Sequence, residues 1–175
     1  MVRNILIGLS LLAGMCGFAS AEEADDRLAV SATWIQANYS EPGISLTNGL
    51  MGVKLSRSSG WFGGELVAAG SVNNATFIIN NSLVTAEVES LYGAYAKIQS
   101  DTPISFYVKG GYASGSLLAT SAVGFARAVG GDFSYGVGIE GKIGTDGFFQ
   151  VDFTQYYDDG IQSVDGFAIA GGVYF

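Results

Sequence analysis

Apolar and polar residues alternate along most of the chain. In segment 131–144, Tyr135 and Val137 fall on one parity, whereas Ser134 and Glu140 fall on the other. Successive side chains of a strand point to opposite faces, whereas a helix would mix the two sets around its circumference. The glycines of the segment would also cost a helix about 1 kcal/mol each. The pattern therefore predicts a strand of about 12 residues, longer than the roughly 5–6 usual in soluble proteins.

The same alternation recurs and predicts eight strands. A transmembrane β-strand needs about 9–11 residues, and most of the predicted strands are at least that long. They cover residues 28–39, 48–57, 61–71, 86–100, 104–116, 131–144, 147–157 and 164–175.

The connections between these strands alternate in length. Three are short turns with Gly, Asp or Pro signals, at 58–60, 101–103 and 145–147, and the intervening ones at 40–47, 72–85, 117–130 and 158–163 are longer. In an up-and-down barrel alternate connections lie at the same end, so one end is tight and the other carries loops. This asymmetry is typical of outer-membrane barrels. A soluble meander barrel, such as a lipocalin, remains the alternative.

The charges within the strands fall mostly on one parity. They are few, of both signs, and accompanied by Gly, Ser and Ala, as the narrow interior of an eight-stranded barrel requires. Aromatic residues gather near strand ends on the other parity, as in the girdles of membrane barrels. We therefore predict an ion-pair network in the lumen formed by Lys54, Glu65, Glu89, Lys97, Lys109, Glu140, Lys142 and Asp152. In the first strand the pattern leaves open whether Trp34 or Ile35 faces outward.

The first 21 residues differ from the rest. Arg3 precedes an apolar run of about 14 residues, and "ASA" before Glu22 fits a small-residue cleavage site. The run is short for a membrane-spanning helix, which needs roughly 20 residues. We predict a cleaved signal peptide over 1–21 and a barrel domain over 22–175. The single cysteine, Cys16, lies in the predicted leader, so the exported domain has no disulfide, as suits a bacterial envelope protein.

Composition removes several classes of function. The formal net charge is −8, which argues against nucleic-acid binding. The chain has no histidine, which removes Ser–His catalysis, zinc–histidine sites and the commonest general base. We therefore predict no enzymatic activity, no cofactor and no metal. The adjacent pair Asp158 and Asp159 is interpreted as a solvated loop tip rather than a calcium or acid–base site.

Several stretches together resemble the small eight-stranded outer-membrane β-barrels of the OmpA transmembrane-domain and OmpX/Ail type, often described as porin-like. These are the leader, the eight alternating segments, "GAYAKI", "DTP", "ISFYVKGGYA" and the C-terminal "GGVYF". The resemblance implies an all-β, eight-stranded antiparallel up-and-down transmembrane β-barrel in the outer membrane of a Gram-negative bacterium, in contact with its lipid. It also implies a C-terminal signal for the outer-membrane assembly machinery, carried by Phe167, Ile169, Gly171, Val173 and Phe175.

Three functions follow as hypotheses. The first is a non-enzymatic barrel with a structural or surface-interaction role and a lumen filled by charged and polar side chains. The second is a narrow ion or small-solute channel of the same fold, and the third is a soluble periplasmic ligand-binding barrel. Segment 72–85 is rich in Asn with an apolar centre, and segment 117–130 is unusually apolar for a loop. Each is expected either to extend its hairpin or to contact an extracellular partner or lipid headgroups.

Overall fold

The computed structural model describes residues 26–79, 82–121 and 124–175, and these residues form nine β-strands. The predicted signal peptide lies outside them. Among the described residues, no helix is long and apolar enough to cross a membrane. The strands are β1 (Asp26–Glu41), β2 (Ile44–Ser59), β3 (Phe62–Ser71), β4 (Ala75–Ile79), β5 (Ser82–Gln99), β6 (Ile104–Ser121), β7 (Gly124–Ile143), β8 (Gly147–Asp158) and β9 (Ser163–Tyr174).

Eight of these strands close into a barrel. Neighbours in sequence pair antiparallel, β3 pairs with β5 over Phe62–Gly70, and β1 pairs with β9 over Ala29–Ser40. The short β4 pairs only with the outer part of β5, as a hairpin standing on the barrel. The predicted eight-stranded antiparallel up-and-down barrel is confirmed. Closure matters because an open sheet would leave two rows of unpaired backbone groups, each costly in an apolar surrounding.

The two ends of the barrel differ. One end, here called the turn end, carries both ends of the described chain and three short connections. These are the first described residues, Phe175 and the connections at 60–61, 100–103 and 144–146. The opposite end, here called the loop end, carries extended hairpins. The predicted loop 40–47 is instead a tight turn at residues 42–43, and 117–130 continues β6 and β7 as strands apart from its undescribed tip. The boundaries were wrong because these ladders continue past the point where the apolar alternation weakens.

The two faces of the barrel wall have inverted polarity. Outward-facing Val137 and Phe106 are 57% and 68% exposed, whereas inward-facing Lys54 and Asp152 are each 2% exposed. A water-soluble barrel places its apolar face inside, and a membrane barrel places it outside. In β1 the open question is settled, since Ile35 is fully buried inside and Trp34 points outward.

Outward-facing aromatic side chains form two groups. One group, near the turn end, consists of Trp61, Phe62, Phe106, Phe149 and Phe175. The other lies at the height where β7 and β8 cease to pair and consists of Trp34, Phe133, Tyr135, Phe153 and Phe167. Two such belts with aliphatic residues between them are typical of barrels that span a bilayer.

Candidate functional site in the barrel interior

A layer of four charged side chains fills the middle of the lumen. Lys54 Nζ lies 2.7 Å from Asp152 Oδ2, and Lys109 Nζ lies 2.9 Å from Asp152 Oδ1 and 3.0 Å from Glu65 Oε1. The side chains come from four different strands and are almost completely buried. Two positive and two negative charges make the layer neutral. This neutrality matters because a buried charge is tolerated only when it is paired and hydrogen-bonded.

Uncharged polar residues complete this layer. Gln150 Oε1 accepts a hydrogen bond from Lys54 at 3.2 Å, and Gln150 Nε2 donates to Glu65 Oε2 at 3.0 Å. The hydroxyls of Tyr107 and Thr154 donate to the two carboxylate oxygens of Asp152 at 3.1 Å and 2.8 Å. Sequence reasoning missed these residues because it followed charge alone. Their position two residues from Asp152 on β8 could have identified Gln150 and Thr154.

A second, smaller polar group lies nearer the turn end. Lys97 Nζ is 3.2 Å from Glu140 Oε2 and 4.2 Å from the centroid of the Tyr107 ring. Tyr174 donates its hydroxyl hydrogen to the other oxygen of Glu140, and its ring lies 4.8 Å from that of Phe148. The aromatic pair therefore occupies the turn-end mouth of the lumen.

Two of the predicted lumen residues do not join either group. The register of β5 against β6 shifts between Val88 and Ser90, and the inserted Glu89 turns to the outer face. There it lies 2.6 Å from Arg127 and accepts a hydrogen bond from Ser116. A bulge of this kind re-aims one side chain without disturbing the rest of the strand. Lys142 is exposed beside the turn between β7 and β8.

The lumen above the charged layer is apolar. Here a set of buried side chains called the apolar plug separates the charges from the loop end. Its members include Ile35, Leu50, Val67, Leu91 and Tyr156. Between the plug and the charges, the Tyr95 hydroxyl lies 3.1 Å from that of Ser134, which donates to the Gln155 carbonyl. A second buried cluster around Tyr39, Leu46 and Ala86 lies closer to the loop end.

The barrel wall is incomplete at the loop end. β7 pairs with β8 only over Tyr135–Ile143, so the first half of β7 has β6 on one side and no strand of the described chain on the other. A cleft of about 340 Å³ lies beside this gap, lined among others by Leu117, Val129, Tyr157 and Val164.

One acidic side chain, Glu41, lines this cleft, and two more lie near it at the end of β8. Glu41 Oε2 accepts hydrogen bonds from the Tyr39 hydroxyl at 2.6 Å and from Gln162 Nε2 at 3.2 Å. Asp159 accepts the backbone N–H groups of Gln162 and Ile161, which hold the pKa of its carboxyl below the ordinary value. Asp158, the last residue of β8, and Asp159, the first residue of the following loop, are both exposed. The Asp159 carboxylate therefore holds the loop between β8 and β9 in place through hydrogen bonds to its backbone.

The sequence matches no protein-family model and no curated protein. Among solved structures, the chain is similar to Ail, the attachment invasion locus protein of Yersinia pestis, at 17% identity and a TM-score of 0.63, with 86% of this chain and 99% of Ail covered. The chain has the fold of the small outer-membrane barrels.

Two other barrels have the same fold. The N-terminal β-barrel domain of Pseudomonas aeruginosa OprF aligns at 14% identity and a TM-score of 0.60, over 84% of this chain and 97% of that one. Neisserial surface protein A aligns at 14% identity and a TM-score of 0.56, over 84% and 95%. At these identities the likeness concerns the fold alone, and the role of this barrel depends on its own side chains.

Proposed function

We propose that this protein spans the bacterial outer membrane as a filled, non-conducting β-barrel with a structural and surface-interaction role and no catalytic activity. The inverted polarity of the wall carries the proposal. Val53, Val108 and Val137 are each more than half exposed on the outer face, while four paired charges are buried inside. A soluble periplasmic barrel would leave this apolar belt in water, far beyond the few hundred Å² of apolar patch that soluble monomers tolerate.

The proposal also assigns a role in export and assembly to each end of the sequence. Residues 1–21 act as the cleaved signal peptide. The final strand supplies the assembly signal, and its alternate residues Phe167, Ile169, Gly171, Val173 and Phe175 all point outward. An incoming strand with one continuous apolar face can be recognised before the barrel closes, because that face is not occupied by lumen contacts.

The surface-interaction role rests on the loop end. The hairpin of β6 and β7 continues well beyond the second aromatic belt, and residues 124–130 are exposed on both faces. Ail was solved in complex with a heparin analogue, sucrose octasulfate. The loop end of this chain carries Glu41, Asp158 and Asp159 instead of a basic patch, so a polyanion is not the partner that its charge favours.

A channel is the second candidate, and the charged layer favours it because ion paths are lined by such residues. The apolar plug favours the filled barrel, since Ile35, Leu50 and Leu91 are at most 3% exposed and pack together inside the lumen. Eight strands also leave an interior only wide enough for side chains.

Two measurements test the proposal. Washed outer membranes should contain the protein in a form whose gel migration changes on heating, and recovery in the soluble periplasmic fraction would refute it. In planar bilayers the purified barrel should show no resolved openings, and a porin of known conductance reconstituted in the same bilayers validates the assay. Steady openings of the wild-type barrel would replace the filled-barrel role by the channel.

A further inference from the structure

The cleft at the loop end lies directly on the apolar plug. Leu91, Ala113 and Tyr156 line the cleft and also belong to the plug, and each is at most 3% exposed. The cleft therefore ends on packed side chains inside the lumen. Its volume of about 340 Å³ falls in the range of small-molecule sites, which are concave and mostly apolar with a few polar groups.

One carboxylate lines the cleft, and only one of its two oxygens is engaged. Glu41 Oε2 accepts hydrogen bonds from the Tyr39 hydroxyl at 2.6 Å and from Gln162 Nε2 at 3.2 Å. Within the part of the chain that the structure describes, Glu41 Oε1 accepts no hydrogen bond, and no lysine or arginine forms an ion pair with this carboxylate. The two donors therefore hold Glu41 in one orientation and leave its charge without a basic partner.

The negative charge at the cleft is not balanced from nearby. Gln162 links Glu41 to a second carboxylate, because its backbone N–H donates to Asp159 Oδ1 at 2.7 Å. Burial raises the pKa of Tyr39, and the hydrogen bond to Glu41 and the charges of Glu41 and Asp159 raise it further, so both carboxylates act on one side of the cleft. Arg127, the one basic residue among the described residues of the loop end, already forms an ion pair on the outer face.

The rest of the lining is mainly apolar or aromatic. It includes two aliphatic side chains and three tyrosines, namely Leu117, Val164, Tyr39, Tyr156 and Tyr157. The hydroxyls of Tyr39 and Tyr157 each donate to a carboxylate, at 2.6 Å and 2.8 Å, so these two rings are held in place before any ligand arrives. Tyrosine rings attract cations to their faces, and the aliphatic side chains suit the hydrocarbon part of a ligand.

Two other kinds of ligand fit this lining less well. Calcium takes about 6–8 oxygen ligands, whereas the described residues contain no group of three or more acidic, histidine or cysteine side chains placed to hold a metal. A wholly apolar ligand would cover the Glu41 carboxylate without compensating its charge, which is costly. An organic cation satisfies the carboxylate and the apolar walls together.

We propose that the cleft at the loop end binds a small organic cation, consisting of an ammonium group on a compact apolar or aromatic body. The ammonium group donates a charge-assisted hydrogen bond to Glu41 Oε1, and the body packs against Leu117 and Val164. This site goes beyond the structural and surface-interaction role, and it rests on that role only in that the loop end must face the outside of the cell.

The test uses the whole barrel in maltoside micelles, whose headgroups carry no charge. The probe is the fluorobenzylammonium ion, its binding is followed by the broadening of its fluorine NMR signal, and empty micelles give the background. The broadening should saturate and should disappear when excess unlabelled benzylammonium is added. Fluorobenzyl alcohol has the same ring without the charge and should bind about tenfold more weakly, because a hydrogen bond to a charged group is lost.

Two matched pairs of barrel variants locate the site. Glu41→Gln should weaken binding about tenfold, whereas Glu87→Gln removes the same charge from a loop-end residue outside the cleft and should stay within about twofold of wild type. Ala128→Trp places a large ring in the cleft from β7 and should abolish saturable binding. Ala126→Trp, two residues away on the same strand and outside the cleft, should leave binding unchanged.

Several results would overturn the proposal. These are the absence of saturable broadening at millimolar probe, equal binding of the alcohol, and equal losses in Glu41→Gln and Glu87→Gln, which would indicate attraction by the loop-end charge as a whole. Displacement of the probe by calcium, but not by sodium at the same ionic strength, would assign the carboxylate to a divalent cation. Loss of probe binding on adding phosphatidylethanolamine to the micelles would assign the cleft to a lipid headgroup.

The same samples distinguish this proposal from the one on which it rests. The heat-dependent shift in gel migration is measured before the probe is added, and a variant that has lost the shift is set aside, so that the other pair decides. A folded wild-type barrel that ignores the probe refutes the cation site and leaves the outer-membrane role intact. Recovery of the wild-type chain in the soluble periplasmic fraction contradicts that role itself, whatever the probe does.

Discussion

Replacing Asp152 by asparagine tests the charged layer most directly. The two carboxylate oxygens of Asp152 accept four hydrogen bonds, from Lys54, Lys109, Tyr107 and Thr154. Asparagine has almost the same shape, but it removes one negative charge and turns one acceptor into a donor. The layer then carries two lysines against the single carboxylate of Glu65.

The size of the effect follows from this imbalance. Removing one partner of a buried ion pair costs about 3–5 kcal/mol, because the other charge remains buried without compensation. A second substitution, Lys54→Met, should restore neutrality and leave the 3.0 Å pair of Lys109 and Glu65 in place. We expect the double variant to be at least about 1 kcal/mol more stable than Asp152→Asn alone.

Urea unfolding from lipid vesicles measures these differences. The chain has two tryptophans, Trp34 and Trp61, both on the outer face, so their fluorescence reports departure from lipid. The control is Asp101→Asn, at an exposed position in a turn, which should change the free energy of unfolding by less than about 0.5 kcal/mol. The reasoning fails if Asp152→Asn behaves like this control, or if the double variant is less stable than the sum of the single changes predicts.

Four further predictions concern other parts of the barrel. Val137→Arg, on the outer face, should cost about 2–4 kcal/mol near the bilayer midplane in the same assay, and an unchanged value would contradict the parity. Gly138→Ala should cost about 1–3 kcal/mol because its Cβ would overlap the Tyr107 ring, and a neutral result would mean that the ring moves freely. Phe175→Ser should slow assembly in cells, followed by pulse-labelling and heat-dependent migration, while refolding in detergent stays normal; equal rates in cells would remove the assembly role. The Asp159 carboxyl should titrate below 3.8 by NMR, so its contribution to loop order is present at neutral pH and is lost as pH falls through that lowered pKa; a titration at or above 3.8 would contradict the loop hydrogen bonds.

The transmembrane part of the fold could be predicted because its signal is strictly periodic. Val53 and Lys54 are adjacent and point to opposite faces, so a slip of one residue would turn the lysine to the apolar side. The three tight turns were equally readable from their Gly, Asp and Pro residues. Both signals are local, so a single sequence carries them in full.

The rest depended on information that the alternation does not carry. The bulge before Ser90 adds one residue to β5, and this single insertion moves Glu89 from the lumen to the outer face. Residues 117–130 were assigned to a connection, with an extended hairpin as one alternative, and the structure has the extended hairpin. The alternation could not decide this, because pairing with a neighbouring strand rather than contact with lipid sets the structure there. The apolar plug was missed because its strands carry apolar residues on the inner as well as the outer face. In the sequence, such a stretch cannot be told from an ordinary apolar run.

The change of lumen chemistry along one strand has a consequence for how substitutions would be tolerated. Along the inner face of β1, Ser31 and Thr33 are followed by Ile35 and Ala37. In a scan of all single substitutions, the lower half of the strand should accept polar residues at every second position. In the upper half the inward positions Ile35 and Ala37 should reject polar residues, whereas the outward positions, where Gln36 and Asn38 stand, should accept them. The set of positions that tolerate polar residues should therefore switch from inward to outward at about Ile35. The molecule thus combines a membrane barrel and the packed core of a small soluble domain within the same continuous strands.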